Sequence, residues 1–297
     1  MNTNSPSLGV SSPAAQEPRT IANLLTIAGV DPSGGAGVLA DIKTFSALAG
    51  YGCAVITALT AQNTRQVTGI YEVPSSFIKQ QIDTLFSDVR IDYAKIGMLG
   101  NAAVARAVAD SVRPLLADGR LPGCVLDPVM ISKGGDLLLE MEAIHALVDL
   151  VLPLATLITP NLPEGAILVG RRAPENVAEM RVMAEALHKL LPDDQPRWVM
   201  LKGGRLPGDP LDLLFDGERM IELPGRRVET RNLHGTGCTL AAALTALIPR
   251  SADVPVAAEA ARSYLVKTLE ASSRLTVGHP DGHGHGPVHH FHSLWKS

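Results

Sequence analysis

Leu24-Leu25-Thr26-Ile27-Ala28, then Gly29-Val30-Asp31-Pro32-Ser33-Gly34-Gly35-Ala36-Gly37, then residues 38–48 form the stretch that decides the fold. The first run is short, unbroken and apolar, as in a strand buried on both faces. The second is a glycine-rich loop whose backbone can approach a ligand closely. The third carries Val38, Leu39, Ile42 and Phe45 at helical spacing, with Asp41 and Lys43 between them. A buried strand, a loop and an amphipathic helix make one unit of an α/β sheet.

The same alternation continues along the chain. Strands are expected at 54–59, 70–73, 93–96, 124–126, 156–158 and 198–201. Helices are expected at 75–87, with Ser75 as N-cap, and at 101–116, 137–150 and 178–190. Beyond 200 the pattern changes to three short strands, 211–215, 219–223 and 226–230, with turns at Gly217 and Gly225. Two helices come next, beginning near Thr236 and Val254. The expectation is an α/β fold with a central, mostly parallel sheet and helices on both faces. Residues 21–297 read as one domain without a Pro/Gly/Ser linker. Residues 1–20, rich in Ser, Pro, Asn and Ala, read as a flexible extension rather than a secretory signal.

Bulk composition narrows the function. The chain has 297 residues, 46% of them apolar, and a net charge of −4. Neither that charge nor an aromatic content of 4% suggests a nucleic-acid surface. The longest apolar stretch, 147–158, is interrupted by Asp149 and Pro153 and is too short to span a bilayer. Cys53, Cys124 and Cys238 are widely separated, with no CxxC, which favours a reducing compartment over a disulfide framework. A cytoplasmic protein is expected. Cys53 and Cys124, in or beside apolar runs, read as buried hydrophobes.

In parallel sheets ligands sit beyond the carboxyl ends of the strands. The segments at those ends here are polar or glycine-rich: Gly29–Gly37, Thr60-Ala61-Gln62-Asn63-Thr64, Gly97-Met98, Asp127-Pro128-Val129-Met130, Thr159-Pro160-Asn161-Leu162-Pro163-Glu164 and Lys202-Gly203-Gly204. Gly34–Gly37 is neither a Walker A loop nor a dinucleotide fingerprint, and a tight strand-to-helix turn explains it equally well. Asp127 and Glu164 supply hard oxygens suited to Mg²⁺. Lys133 and Lys202 are point charges suited to ATP phosphates, and Thr159 and Asn161 join that side of the site.

The run Asn232-Leu233-His234-Gly235-Thr236-Gly237-Cys238-Thr239 feeds an alanine-rich helix. Free N–H groups at a helix start, with the helix dipole behind them, bind anions. A thiol at that mouth is expected to be exposed and lowered in pKa. Together these groups describe a site for phosphoryl transfer.

These motifs, in this order and spacing, resemble the hydroxymethylpyrimidine/phosphomethylpyrimidine kinases of thiamine biosynthesis, in the ribokinase-like superfamily. The resemblance runs from about residue 23 to Gly284-His285-Gly286-Pro287-Val288. It implies a ribokinase-like fold, usually a homodimer, using ATP and Mg²⁺. It implies phosphorylation of 4-amino-5-hydroxymethyl-2-methylpyrimidine on its hydroxymethyl oxygen, and then of that monophosphate. Carried over, Gln62 hydrogen-bonds the aminopyrimidine edge, and Gly29, Met98 and Val129 line its pocket. Asp41 lies near the substrate. Gly235, Thr236 and Gly237 form the anion hole, and Cys238 takes the catalytic place.

Two positions depart from the family pattern: Val30, where serine is expected, and His289, where asparagine is expected. The tail holds His279, His283, His285, His289, His290 and His292. Interleaved Gly and Pro favour a partly ordered terminal segment over a dedicated metal site. Two other readings remain: a kinase of pyridoxal, and a non-catalytic ligand-binding protein on the same fold.

Overall fold

The computed structural model describes residues 21–130, 139–279 and 284–295. The N-terminal extension, Lys133 and the expected start of the 137–150 helix lie outside the described residues.

The strands are β1 (Asn23–Val30), β2 (Tyr51–Gln62), β3 (Val67–Glu72), β4 (Tyr93–Ile96), β5 (Cys124–Leu126), β6 (Leu157–Ile158), β7 (Trp198–Lys202), β8 (Leu211–Phe215) and β9 (Met220–Pro224). They form one sheet in the order β3-β2-β1-β4-β5-β6-β7-β8-β9. The run from β2 to β7 is parallel, while β3, β8 and β9 pair antiparallel at the two edges.

The helices are α1 (Gly37–Ala47), α2 (Ser75–Phe86), α3 (Ala102–Ala117), α4 (Met141–Ala146), α5 (Leu162–Val169), α6 (Val177–His188), α7 (Thr236–Leu247) and α8 (Val254–Glu270). Alternation along each central strand feeds two cores. Leu25 and Ile27 of β1, Leu126 of β5, and Val199 and Leu201 of β7 face α2, α3, α5 and α6. Leu24, Val125, Leu157, Trp198 and Met200 face the opposite way, onto Phe45 of α1, Leu240–Leu244 of α7, and Ala258 and Ala261 of α8. Burial on both faces explains why these strands read as continuous apolar runs.

Several local expectations need correction. Ser75 does not cap α2: Pro74 occupies the N-cap position, and no side chain caps it. Residues 226–230 do not form a strand. Arg227 is instead bonded to the loop between β7 and β8. Its backbone N–H donates to Asp209 Oδ1, and its guanidinium donates to the carbonyls of Gly204, Leu206 and Gly208. The expected 137–150 helix becomes α4 followed by a π turn, Leu147–Val151, and a 3₁₀ turn, Leu152–Leu154. Residues 162–169, not expected to be helical, form α5, capped by Asn161. Cys124 is buried as expected, but Cys53 is only half-buried.

Candidate active site

The carboxyl ends of the parallel strands and the start of α7 meet on one side of the sheet. Gly235 lies just before α7 with φ of 78° and no side chain capping the helix. A Cβ there would run into the carbonyl oxygen of Gly35, so the Gly34–Gly37 loop and the α7 entrance are in backbone contact. Only glycine combines that φ with that approach.

A Cβ placed on Gly237 would lie 3.4 Å from Lys202 Nζ and 3.5 Å from Asp127 Oδ2. The uncapped helix end therefore faces an ion pair: Lys202 Nζ donates to Asp127 Oδ1 at 3.0 Å. Thr159 donates its hydroxyl to the same oxygen at 3.1 Å. Burial pushes the Asp127 carboxyl upward, but Lys202 and Lys95 outweigh it and hold Asp127 below the ordinary carboxylate value. Lys202 is likewise held charged: burial opposes it, and Asp127 and Glu164 prevail.

Asn161 and Glu164 form a reciprocal cap on α5. Glu164 N–H donates to Asn161 Oδ1, and Asn161 N–H donates to Glu164 Oε2, both at 2.9 Å. Burial raises Glu164 to about 7. Among the described residues no cluster of three or more His, Cys, Asp or Glu could hold a metal. Two carboxylates beside an anion site nevertheless match Mg²⁺, which takes one or two protein carboxylates and completes its octahedron with phosphate oxygens and water. Asp127 is the better placed of the two, since Oδ2 faces the α7 entrance.

On the acceptor side, a Cβ on Gly29 would lie 2.6 Å from Met98 Cε, so these two expected pocket residues adjoin. The Thr57 hydroxyl holds the Met98 carbonyl at 2.8 Å. Gln62 ends β2, half-buried, with its amide oxygen accepting from Thr60 at 3.1 Å. Val129 lies two residues past Asp127 and is half-buried. Val30 departs from the family pattern in its side chain, while its carbonyl accepts from Thr60 at 2.9 Å.

Asp41 is not open to a substrate in this conformation. It is fully buried, and both carboxylate oxygens accept from Lys95 Nζ, at 2.9 and 2.8 Å. Its Oδ2 also accepts from the Thr26 hydroxyl at 2.7 Å. Lys95, on β4, escapes sequence reasoning because a lysine in a four-residue apolar strand carries no motif. Burial opposes its charge, but Asp41, with Asp127, raises its pKa and keeps it an ammonium.

Cys238 does not behave as a thiol activated by a helix start. It is half-buried, and burial raises its pKa to about 11. Lys95 and a backbone contact from Gly37 favour the thiolate, but Asp41 and Asp127 work against it. The resting group is a neutral thiol between two buried ion pairs.

Two more contacts carry no sequence signal. His234 Nε2 donates to Asp31 Oδ2 at 2.7 Å, and the same carboxylate takes the N–H groups of Ser33 and Ala36. This latch ties the Gly34–Gly37 loop to the α7 entrance. Within residues 284–295 the tail is packed against the body: Val288, His289 and His290 are buried. Its Asp281 and His283 lie outside the described residues.

Residues 31–289 match the family model for phosphomethylpyrimidine kinase. A hydroxymethylpyrimidine/phosphomethylpyrimidine kinase of Rhizobium meliloti is 45% identical over 273 residues, covering 92% of this chain and 98% of that protein. The crystal structure of a phosphomethylpyrimidine kinase from Clostridium difficile superimposes with a TM-score of 0.72 at 35% identity, over 83% of this chain and 98% of that one. A pyridoxal kinase from Staphylococcus aureus, solved with ADP, gives 0.80 at 28% identity, over 93% and 96%. The fold is that of the ribokinase-like small-molecule kinases. The chain belongs to the phosphomethylpyrimidine kinase family.

Proposed function

We propose that this chain, acting through residues 21–297 as one kinase unit, transfers the terminal phosphoryl group of ATP to 4-amino-5-hydroxymethyl-2-methylpyrimidine and then to its monophosphate. The product is the pyrimidine diphosphate used in thiamine biosynthesis. The observation that carries the reading is the meeting of the uncapped α7 entrance with Lys202 and Asp127, within 3.5 Å of the Gly237 Cβ position. The N–H groups of Gly235, Thr236 and Gly237 and the helix dipole receive the charge that develops on the moving phosphoryl group. Lys202, with Lys133, Thr159 and Asn161, serves the nucleotide phosphates. Asp127 and Glu164 would hold Mg²⁺, which when bound neutralises phosphate charge.

Gln62, Gly29, Met98 and Val129 form the pyrimidine side. An amide that both donates and accepts suits an aminopyrimidine edge. Asp41 acts from below, through Lys95. Cys238 meets the acceptor as a neutral, weakly basic group. A loose phosphoryl-transfer transition state depends more on position and charge than on full deprotonation of the alcohol.

Pyridoxal is a second candidate acceptor, supported by the likeness to the Staphylococcus aureus enzyme. An ADP-release assay with the hydroxymethylpyrimidine, its monophosphate and pyridoxal tests both readings. Turnover of both pyrimidines is expected. Turnover of pyridoxal alone would overturn the main reading, and binding without ADP release would indicate a non-catalytic protein.

A homodimer is part of the proposal, because exposed Leu59, Val67, Ile70 and Tyr71 leave the β2–β3 edge apolar. Three free cysteines suit a reducing cytoplasm. No helix among the described residues is long and apolar enough to cross a membrane.

A further inference from the structure

The segment 284–290 touches three parts of the proposed site: the turn past Gln62, the glycine-rich loop, and the α7 entrance on both sides of Gly235–Cys238. His285 N–H donates to the Thr64 carbonyl at 3.0 Å, at the turn just past Gln62. The Gly286 carbonyl accepts from His234 N–H at 3.0 Å, and Pro287 bridges to His234 in a parallel pair. Pro287 Cβ lies 3.2 Å from the Cβ position of Gly35 in the glycine-rich loop. His290 Nε2 is 3.1 Å from Thr239 Oγ1, on the residue after Cys238. The segment is anchored behind these contacts on α8, where Tyr264 donates its hydroxyl to the His290 carbonyl at 2.8 Å and His289 N–H donates to the Thr268 carbonyl at 3.1 Å.

We propose that residues 284–290 form a strap that positions the phosphoryl-transfer loop against the acceptor loops, with His290 the positioning residue that sets the Cys238–Thr239 end of α7. The proposal rests on the reading of Gly235–Cys238 as the phosphoryl loop.

The chemistry of the pair supports a role beyond packing. His290 is 4% exposed and Thr239 is fully buried. An apolar side chain of similar volume could fill that space, whereas a buried imidazole–hydroxyl bond has direction and is costly to leave half-made. Burial, then the nearby charges of Lys43 and His289, lower the His290 pKa to about 3. The imidazole is therefore neutral throughout the physiological range, and the bond does not switch with pH. The strap also grips both ends of the loop, His234 before Gly235 and Thr239 after Cys238. A tether at both ends limits the sub-ångström drift to which phosphoryl transfer is sensitive.

Steady-state kinetics on three full-length variants test the strap. His290→Leu removes the bond, and kcat should fall on the order of 10- to 100-fold with little change in KM for the pyrimidine. His290→Gln, whose amide can reach the same hydroxyl, should recover most of that loss at the same melting temperature as His290→Leu. His285→Pro removes the donor to Thr64 and should instead raise KM for the pyrimidine while kcat is maintained. Equal losses in His290→Leu and His290→Gln, or kcat and KM moving together in all three, would overturn the proposal. Gly237→Asp, which sets a carboxylate beside the same N–H groups, is measured in parallel. Loss of turnover there at an unchanged melting temperature upholds the loop assignment on which the strap depends, and intact turnover overturns both.

Discussion

Cys238 occupies the position at which a catalytic base is expected, yet its thiol is pushed up to about 11 and holds its proton. A neutral group suits a site that must accept first an alcohol and then a phosphate monoester. A fixed carboxylate about 4 Å from that anionic acceptor would cost roughly 4 kcal/mol at an effective dielectric of 20. Cys238→Asp should therefore retain more of the first phosphorylation than of the second, by at least about tenfold in the ratio of kcat/KM values. Equal loss of both steps would discard this account. Beneath the thiol, the Lys95–Asp41 pair is fully buried. Lys95→Met strands the Asp41 charge and should destabilise the fold by about 3–5 kcal/mol, whereas Lys95→Met with Asp41→Leu should regain most of that stability. Denaturant unfolding of the single and double variants checks this. Cys238 and Asp127 are legible because each sits at a motif. Lys95 is not, because its role comes from two elements, 54 residues apart in sequence, that meet only in the fold.

At the scale of elements, glycines, caps and apolar runs locate most of the strands and helices. The miss at α5 has a readable signal. Asn161 followed three residues later by Glu164 is a capping-box pattern, but the chemistry of both residues at a strand end draws attention away from it. They serve the helix start directly, each side chain accepting the N–H of the other residue. The docking of 284–290 escapes the sequence for a different reason: Gly, Pro and His composition carries no packing signal, and its partners on α8 and at His234 are brought to it only by the fold. That docking has a pH signature. The folded-state pKa of His290 is depressed to about 3, whereas an unfolded histidine titrates near 6.5. Its contribution is fully present above about pH 6.5 and is lost as pH falls towards 3, because the unfolded chain takes up a proton that the folded one refuses. Between pH 7 and pH 5 this amounts to about 2 kcal/mol. The fall in melting temperature over that interval should be shallower in His290→Gln than in the parent chain.

Across the whole molecule, the sheet is covered on both faces through its centre and left open at the β3 edge. Leu59 and Tyr71 pair directly across β2 and β3, and both are exposed. If that face joins two copies, Leu59→Lys should shift the protein to a monomer in analytical ultracentrifugation, with the circular dichroism of the fold unchanged. An unchanged mass would place the interface elsewhere. The sequence by itself determined the α/β class and the family, and it gathered the candidate site residues at the strand ends, because each depends on local periodicity or on short motifs of fixed spacing. Only the tertiary structure decided that the thiol is neutral, that Asp41 is sealed under Lys95, that His234 latches onto Asp31 and that the tail meets Thr64, His234 and Thr239. Those outcomes depend on burial and on which distant groups become neighbours, and neither is encoded in the order of residues along a single element.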